Sequence, residues 1–307
     1  MAMLSHRRNW SALAILFLPF ILAIGNFSDL PSSSYHSSVS EVRISFFATD
    51  DHNRSVEQFN QEDFAVVDNG LVIRKFRSFS HSDETSLDLL AVVDMSESVA
   101  PRFMVGLRDV IQLVSQNSSV SADSISVVSF SGTQPAVICS GNCGGLAAER
   151  RLLGLRAEGA TPLFDALSFG ADFISHRRVP GVRPVFILFS DGDDTISRTS
   201  GAEALQAVIT SDALIYSVDL GDPRNPSQGR AVLQRLAQAT GGRYFPVRDG
   251  AANVLKSVVD DLHASYIVTY QLPSRQVGFH SLRILPTHNL KLSFHCRSGY
   301  YYEKTIL

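Results

Sequence analysis

Three separated segments of the chain gather oxygen donors of the kind that hold a hard cation. They are Asp94-Met95-Ser96-Glu97-Ser98, Gly159-Ala160-Thr161-Pro162 and Ser190-Asp191-Gly192-Asp193-Asp194. The first and third follow the apolar runs LDLLAVV (87–93) and VFILF (185–189), which read as strands covered on both faces. The second is a loop entering a helix. Ligands of open α/β sheets bind beyond the carboxyl ends of the strands, so the three segments should meet at one sheet edge. There they bring together two carboxylates, Asp94 and Asp191, and three hydroxyls, Ser96, Ser98 and Thr161. An all-oxygen set suits Mg²⁺, or Mn²⁺ or Ca²⁺ in its place, and not a soft metal. With few charged ligands in direct contact the cation stays electrophilic, and one position is open to a carboxylate from outside. The structural alternative is that these residues only close turns and cap helices, for which Ser and Asp are also preferred. Asp193, Asp194 and Asp219 read as solvated loop charges outside the cluster.

The elements that must carry these residues follow from periodicity. Phe103, Leu107, Val110, Ile111 and Val114 recur at helical spacing, as do Leu163, Ala166, Leu167, Gly170 and Phe173. DSISVVSF (123–130) and ALIYSV (213–218) read as further strands, and PAVIC (135–139) as a short edge strand. Helices are also expected over 146–155, around Ala204–Ile209, from Val232 to a stop at Gly241-Gly242, and around Leu255–Leu262. Strands alternating with amphipathic helices predict an α/β fold: a doubly wound, mostly parallel sheet with helices on both faces. The flanks are different. Before the block, VRISFFATDD and the Asp68-Asn69-Gly70 turn between two apolar runs signal strands and a hairpin. After it come YIVTYQL, HSLRIL and LKLSFHC (290–296). The two flanks are expected to pack into one small β module, since an isolated hairpin is marginal in water.

The chain's start reads as a targeting segment. Arg7-Arg8 precede an apolar run from Trp10 to Ile24, with small residues Ala23 and Gly25 after it. The organisation expected is a signal peptide over 1–25, a Ser-rich linker over 26–40, β segments over 41–83 and 266–307, and the α/β block over 84–265. Export to the cell envelope, the periplasm or the medium follows if the segment is cleaved. An uncleaved anchor, the one route to a membrane, is the alternative. Export permits disulfides; Cys139 and Cys143 flank a short turn and could bridge locally or stay as buried thiols, with Cys296 left over. A net charge of −3 and a pI near 6.3 provide no basic field for nucleic acid.

The order and setting of the three segments resemble the metal-ion-dependent adhesion site of the von Willebrand factor A family. That family's pattern is D-x-S-x-S after the first strand, a Thr in a following loop and an Asp after a later strand. DMSES, GATPLFDAL and LFSDGDDTIS match it with Asp94, Ser96, Ser98, Thr161 and Asp191. The resemblance implies that the serines and threonine contact the metal while the aspartates orient bound water. It departs at Glu97, where Gly is frequent. The flanks are also similar to those of a bacterial exported, acidobacterial-type group related to the family. The implied activity is metal-dependent protein binding or adhesion, the partner supplying an acidic side chain, with no catalytic residue.

Two competing readings remain beside it. A hydrolase with Asp94 as nucleophile would need an acid/base partner and cations for a phosphoryl group. DMSES offers no second carboxylate so placed, the three segments hold no His, Lys or Arg, and no G-x-S-x-G elbow occurs. His176 and His263 read as surface or packing residues. The other reading is a metal-free scaffold of the envelope.

Overall fold

A computed structural model describes residues 41–303, apart from 83–85, 116–124, 142, 180, 225–226, 247–249 and 289. The signal segment and linker expected over 1–40 lie outside the described residues. From Glu41 the chain forms β1 (Glu41–Thr49), β2 (Ser55–Val56), β3 (Phe64–Asp68), β4 (Leu71–Ile73) and β5 (Ser78–His81). Asn69 and Gly70 both adopt positive φ between β3 and β4, the backbone their dipeptide favours.

The α/β block follows. It runs β6 (Ser86–Asp94), α1 (Ala100–Ser115), β7 (Ile125–Phe130), β8 (Ala136–Ser140), α2 (Leu146–Leu153), α3 (Leu163–Ser175) and β9 (Val182–Ser190). It continues with α4 (Gly201–Thr210), β10 (Leu214–Asp219), α5 (Gln228–Thr240), β11 (Tyr244–Pro246) and α6 (Gly250–His263). The strands lie in the order β11-β10-β9-β6-β7-β8, parallel throughout except for β8 at the edge. The alternation of β6 decides which helices cover which face. Leu87, Leu89, Ala91 and Val93 join a core with α1, α2 and α6, while Leu90 and Val92 join one with α3, α4 and α5. Both faces are thus dry, and the loops at the carboxyl ends of β6 and β9 are held by a rigid sheet.

The last strands are β12 (Tyr266–Gln271), β13 (Gly278–Pro286), β14 (Ser293–His295) and β15 (Gly299–Tyr302). They do not pair only among themselves. One sheet runs β14-β1-β12-β5, with β2 on β1, and the other β15-β13-β3-β4, so each mixes strands from both flanks. The even-numbered side chains of β1 (Val42, Ile44, Phe46, Ala48) point between the sheets and pack with Phe59, Phe64, Val66, Tyr270 and Ile284. Of the apolar run 290–296 only Ser293–His295 forms a strand, because Leu290 and Lys291 sit in a turn. β11 and β15 were not expected from the sequence; both are short and lack an alternating pattern.

A buried polar knot ties the β module to the α/β block. Arg243 donates through Nε and Nη2 to the two oxygens of Asp261, both at 2.9 Å, and through Nη1 to the Asn53 carbonyl at 2.7 Å. Asp261 also accepts from Ser55 at 2.6 Å and from the Tyr216 hydroxyl at 2.9 Å. Cys139 and Cys143 are joined by a disulfide after β8, and Cys296 is a free thiol pushed up to about 12 by burial. Among the described residues no helix is long and apolar enough to cross a membrane.

Candidate metal centre

Asp94 ends β6 and folds the loop behind it. Its Oδ1 accepts the Ser96 amide at 2.9 Å, the turn that a short carboxylate favours. Its Oδ2 accepts the hydroxyl of Ser190, the last residue of the neighbouring β9, at 2.6 Å. The same Ser190 oxygen accepts the Gly192 amide at 3.0 Å, and Asp191 Oδ1 accepts the Asp193 amide at 3.2 Å. The Ser96 and Ser98 hydroxyls lie 3.0 Å apart; Ser96 also bonds the Asp94 carboxyl, and Ser98 the Asp191 carboxyl. Asp94, Ser96, Ser98 and Asp191 are therefore linked side chain to side chain. Both aspartates do close turns, as the structural alternative held, yet a carboxylate has about four acceptor positions and the turns use only some of them.

Thr161 joins the group through its backbone. Its amide donates to Thr195 Oγ1 at 2.8 Å and its carbonyl accepts the Thr195 amide at 2.9 Å. The same loop is stitched to the first motif, with Glu97 N donating to Gly159 O at 2.9 Å and Glu158 N to Met95 O at 2.7 Å. Thr161 is buried, whereas Ser98 and Glu97 are exposed, so the cluster opens toward solvent on the Ser98 side. Close approach of backbone fixes the third motif: Gly192 has φ +81°, and a Cβ there would lie 2.1 Å from the carbonyl of Gly229 on α5.

The electrostatics are one-sided. Asp94 is fully buried and Asp191 nearly so, and burial raises both carboxyls, Asp94 to about 6. Hydrogen bonds from Ser190 and Ser96 pull Asp94 back down, while the charge of Asp191 pushes it further up. Among the described residues neither carboxylate is ion-paired with Arg, Lys or His. Buried carboxylates are normally paired or ligate a metal. Two of them beside the hydroxyls of Ser96 and Ser98, among the described residues with no cationic side chain paired to them, form a donor set that fits a hard divalent ion.

Ser190 escaped the sequence reading. Its signal was a lone hydroxyl closing the apolar run VFILF, just before an Asp-Gly turn. Asp219 needs correction, since it is not a solvated loop charge. It is 3% exposed and accepts from Arg230 Nε at 3.0 Å, the Tyr244 hydroxyl at 2.5 Å and the Gly221 amide at 2.7 Å. Asp193 and Asp194 are half-buried and structural as well. Asp193 accepts the Gly229 amide at the start of α5 at 3.1 Å, and Asp194 accepts from Ser197 at 2.5 Å. Their loops turn inward onto helices, which residue type alone does not reveal.

Residues 89–193 match the family model of the von Willebrand factor type A domain, a stretch that includes all five of the clustered residues. These residues of the block belong to a von Willebrand factor type A domain. The chain is 29% identical over 190 residues to the magnesium-chelatase 67 kDa subunit of Chlorobaculum parvum, and 28% over 188 residues to that of Chlorobaculum tepidum. Each match covers 56% of this chain but 30% of the relative, so the chain spans less than a third of those proteins. Among solved structures, an aerotolerance-related membrane protein of Bacteroides fragilis is similar with TM-score 0.45 and 16% identity, over 58% of this chain and 98% of that one. The manganese-loaded TRAP protein of Plasmodium vivax gives TM-score 0.42 and 13% identity, over 73% and 98%.

Proposed function

We propose that Asp94, Ser96, Ser98, Thr161 and Asp191 hold one divalent cation, Mg²⁺ or in its place Mn²⁺ or Ca²⁺, and that the von Willebrand factor A domain uses it to grip a carboxylate on a protein partner. The observation that carries this reading is the pair of buried carboxylates without a cationic partner, set against hydroxyls that open to solvent. Bound there, the ion would supply an electrophilic position for an anionic oxygen from outside. The residues' own contribution is to hold that position: Asp94 and Asp191 by charge and by fixing their loops, Ser96, Ser98 and Thr161 by neutral oxygens. The module acts outside the cytoplasm in this reading, which the Cys139–Cys143 disulfide and the Arg-led apolar start both favour.

The chain is taken as a binding module and not an enzyme. Asp94 already accepts hydrogen bonds from Ser96 and Ser190, which hold it as a fixed anion and not as a free nucleophile. The relatives named as magnesium-chelatase subunits are by that name parts of an assembly, which suits a docking role. Calorimetry with Mg²⁺ and Mn²⁺ tests the reading: one ion per chain should bind, and Asp94→Ala should abolish it. Unchanged binding by Asp94→Ala would move the site elsewhere, and no binding by the parent would leave a metal-free scaffold. Turnover of phosphate or ester substrates, lost in Asp94→Asn, would favour the hydrolase.

A further inference from the structure

A cleft of about 970 Å³ lies between helices α4 and α5 and the outward face of β13. β13 alternates strictly: His280, Leu282 and Ile284 are buried, so Phe279, Ser281, Arg283 and Leu285 face out. The water-facing side of an antiparallel sheet is ordinarily polar. Here Phe279 and Leu285 remain 44% and 45% exposed, and Tyr301 of β15 sits against Phe279 with ring centroids 5.1 Å apart. Arg235 on α5 and Arg283 on β13 supply positive charge from two different elements of the lining. Among the described residues lining the cleft there is no Asp or Glu, and neither arginine has an ion-pair partner. The third lining arginine, Arg243, is already neutralised by Asp261.

We propose that this cleft docks an extended, acidic peptide segment of a partner protein. Its carboxylates would meet Arg235 and Arg283, whose planar guanidinium groups match carboxylates two bonds at a time. Its apolar side chains would cover Phe279, Leu285 and Tyr301. Charge complementarity identifies the occupant as anionic, and the rest of the lining identifies it as a peptide. Gln206, Gln234 and Gln238 on the helical wall each offer a donor and an acceptor, as backbone amides require. Two separated arginines in a chain of net charge −3 do not make the dense basic patch that a lipid surface or nucleic acid needs. The cleft is separate from the metal centre in its lining, which includes none of Asp94, Ser96, Ser98, Thr161 and Asp191.

The test uses the full chain and three labelled twelve-residue peptides, read by fluorescence anisotropy. One alternates Glu with Phe and Leu, the second has Gln for every Glu, and the third has Lys. The acidic peptide should bind about tenfold more tightly than the Gln peptide, the gain expected of two exposed guanidinium–carboxylate pairs. The preference should vanish in the Arg235→Gln/Arg283→Gln double variant, whose melting temperature should match the parent's, and should persist in EDTA. Equal affinity for all three peptides, or a preference that survives the double variant, would overturn the proposal. A preference abolished by EDTA would also overturn it, by assigning the carboxylates to the metal centre. So would arginine-dependent binding to phosphatidylglycerol vesicles by a chain that ignores the peptides.

Discussion

The hydroxyl of Ser190 donates to Oδ2 of Asp94 across 2.6 Å, joining the carboxyl ends of two adjacent strands, with both residues fully buried. Removing the hydroxyl leaves a buried carboxylate oxygen short of a donor and frees the Asp94 side chain to turn. Ser190→Ala should therefore lower stability by about 1–3 kcal/mol in urea titrations. It should also weaken Mn²⁺ affinity severalfold by calorimetry, while Ser190→Thr restores both. An alanine variant that binds the ion as the parent does would show that Asp94 is held well enough by Ser96 alone.

Arg243 and Asp261 are 6% and 1% exposed, so each is the other's main compensation. Truncating one partner strands a charge in the interior. Arg243→Met should cost about 3–5 kcal/mol, and the double variant Arg243→Met/Asp261→Leu clearly less than the sum of the single changes. A double-mutant cycle from urea melts measures the coupling; additive losses would mean that Ser55, Tyr216 and Asn53 carry the knot.

His295 stacks on Phe47 at 4.6 Å, and its Nε2 lies 3.0 Å from Thr49 Oγ1. Burial, helped by the nearby Arg243 charge, depresses its pKa to about 4. The unfolded ring titrates near 6.5. Above that pH both states are neutral and stability is complete. As pH falls from 6.5 toward 4 the unfolded chain gains a proton that the native ring refuses, so stability drops by about 3 kcal/mol in total. Comparing parent with His295→Gln between pH 7 and 4.5 isolates this ring, because the buried Asp94 and Asp261, both raised, act in the opposite sense. Parallel stability curves for the two proteins would assign the acid sensitivity to other groups.

Gly192 has no room for a side chain. Its positive φ and the 2.1 Å approach of a Cβ to the Gly229 carbonyl both oppose substitution. Gly192→Ala should cost upwards of about 2 kcal/mol and push the first turn of α5 away from Asp191. Thermal melts with and without Mn²⁺ should show a lower midpoint and a smaller shift on adding the ion. A variant with the parent's midpoint would mean that the turn relaxes freely.

The α/β block was legible because its signals are local. Runs such as LDLLAVV and the helical spacing of Phe103 to Val114 correspond directly to β6 and α1. The approach of Asp94, Ser96, Ser98 and Asp191 to one another was legible because each sits just past the end of a strand. Ser190 and Asp219 were not, since their meaning lies in partners from other strands and helices: Asp94 in one case, Arg230 and Tyr244 in the other. β11 and β15 are strands of three and four residues, each paired to one neighbour, too short for a periodicity to announce them.

The interleaving of the two flanks sets an order of assembly. Thr49 on β1 meets His295 on β14 across 246 residues of sequence, and β1 has no long partner until β12 and β14 exist. The von Willebrand factor A block, by contrast, closes mostly on its own strands. During synthesis the first flank must wait, with Phe46 and Phe47 unburied, until β12 and β14 have emerged. Pairings of such long range are slow, because the loop must close before any contact rewards it. The later strands therefore act as a latch: whatever has folded between, the β module stays open until β12 and β14 arrive to close on β1.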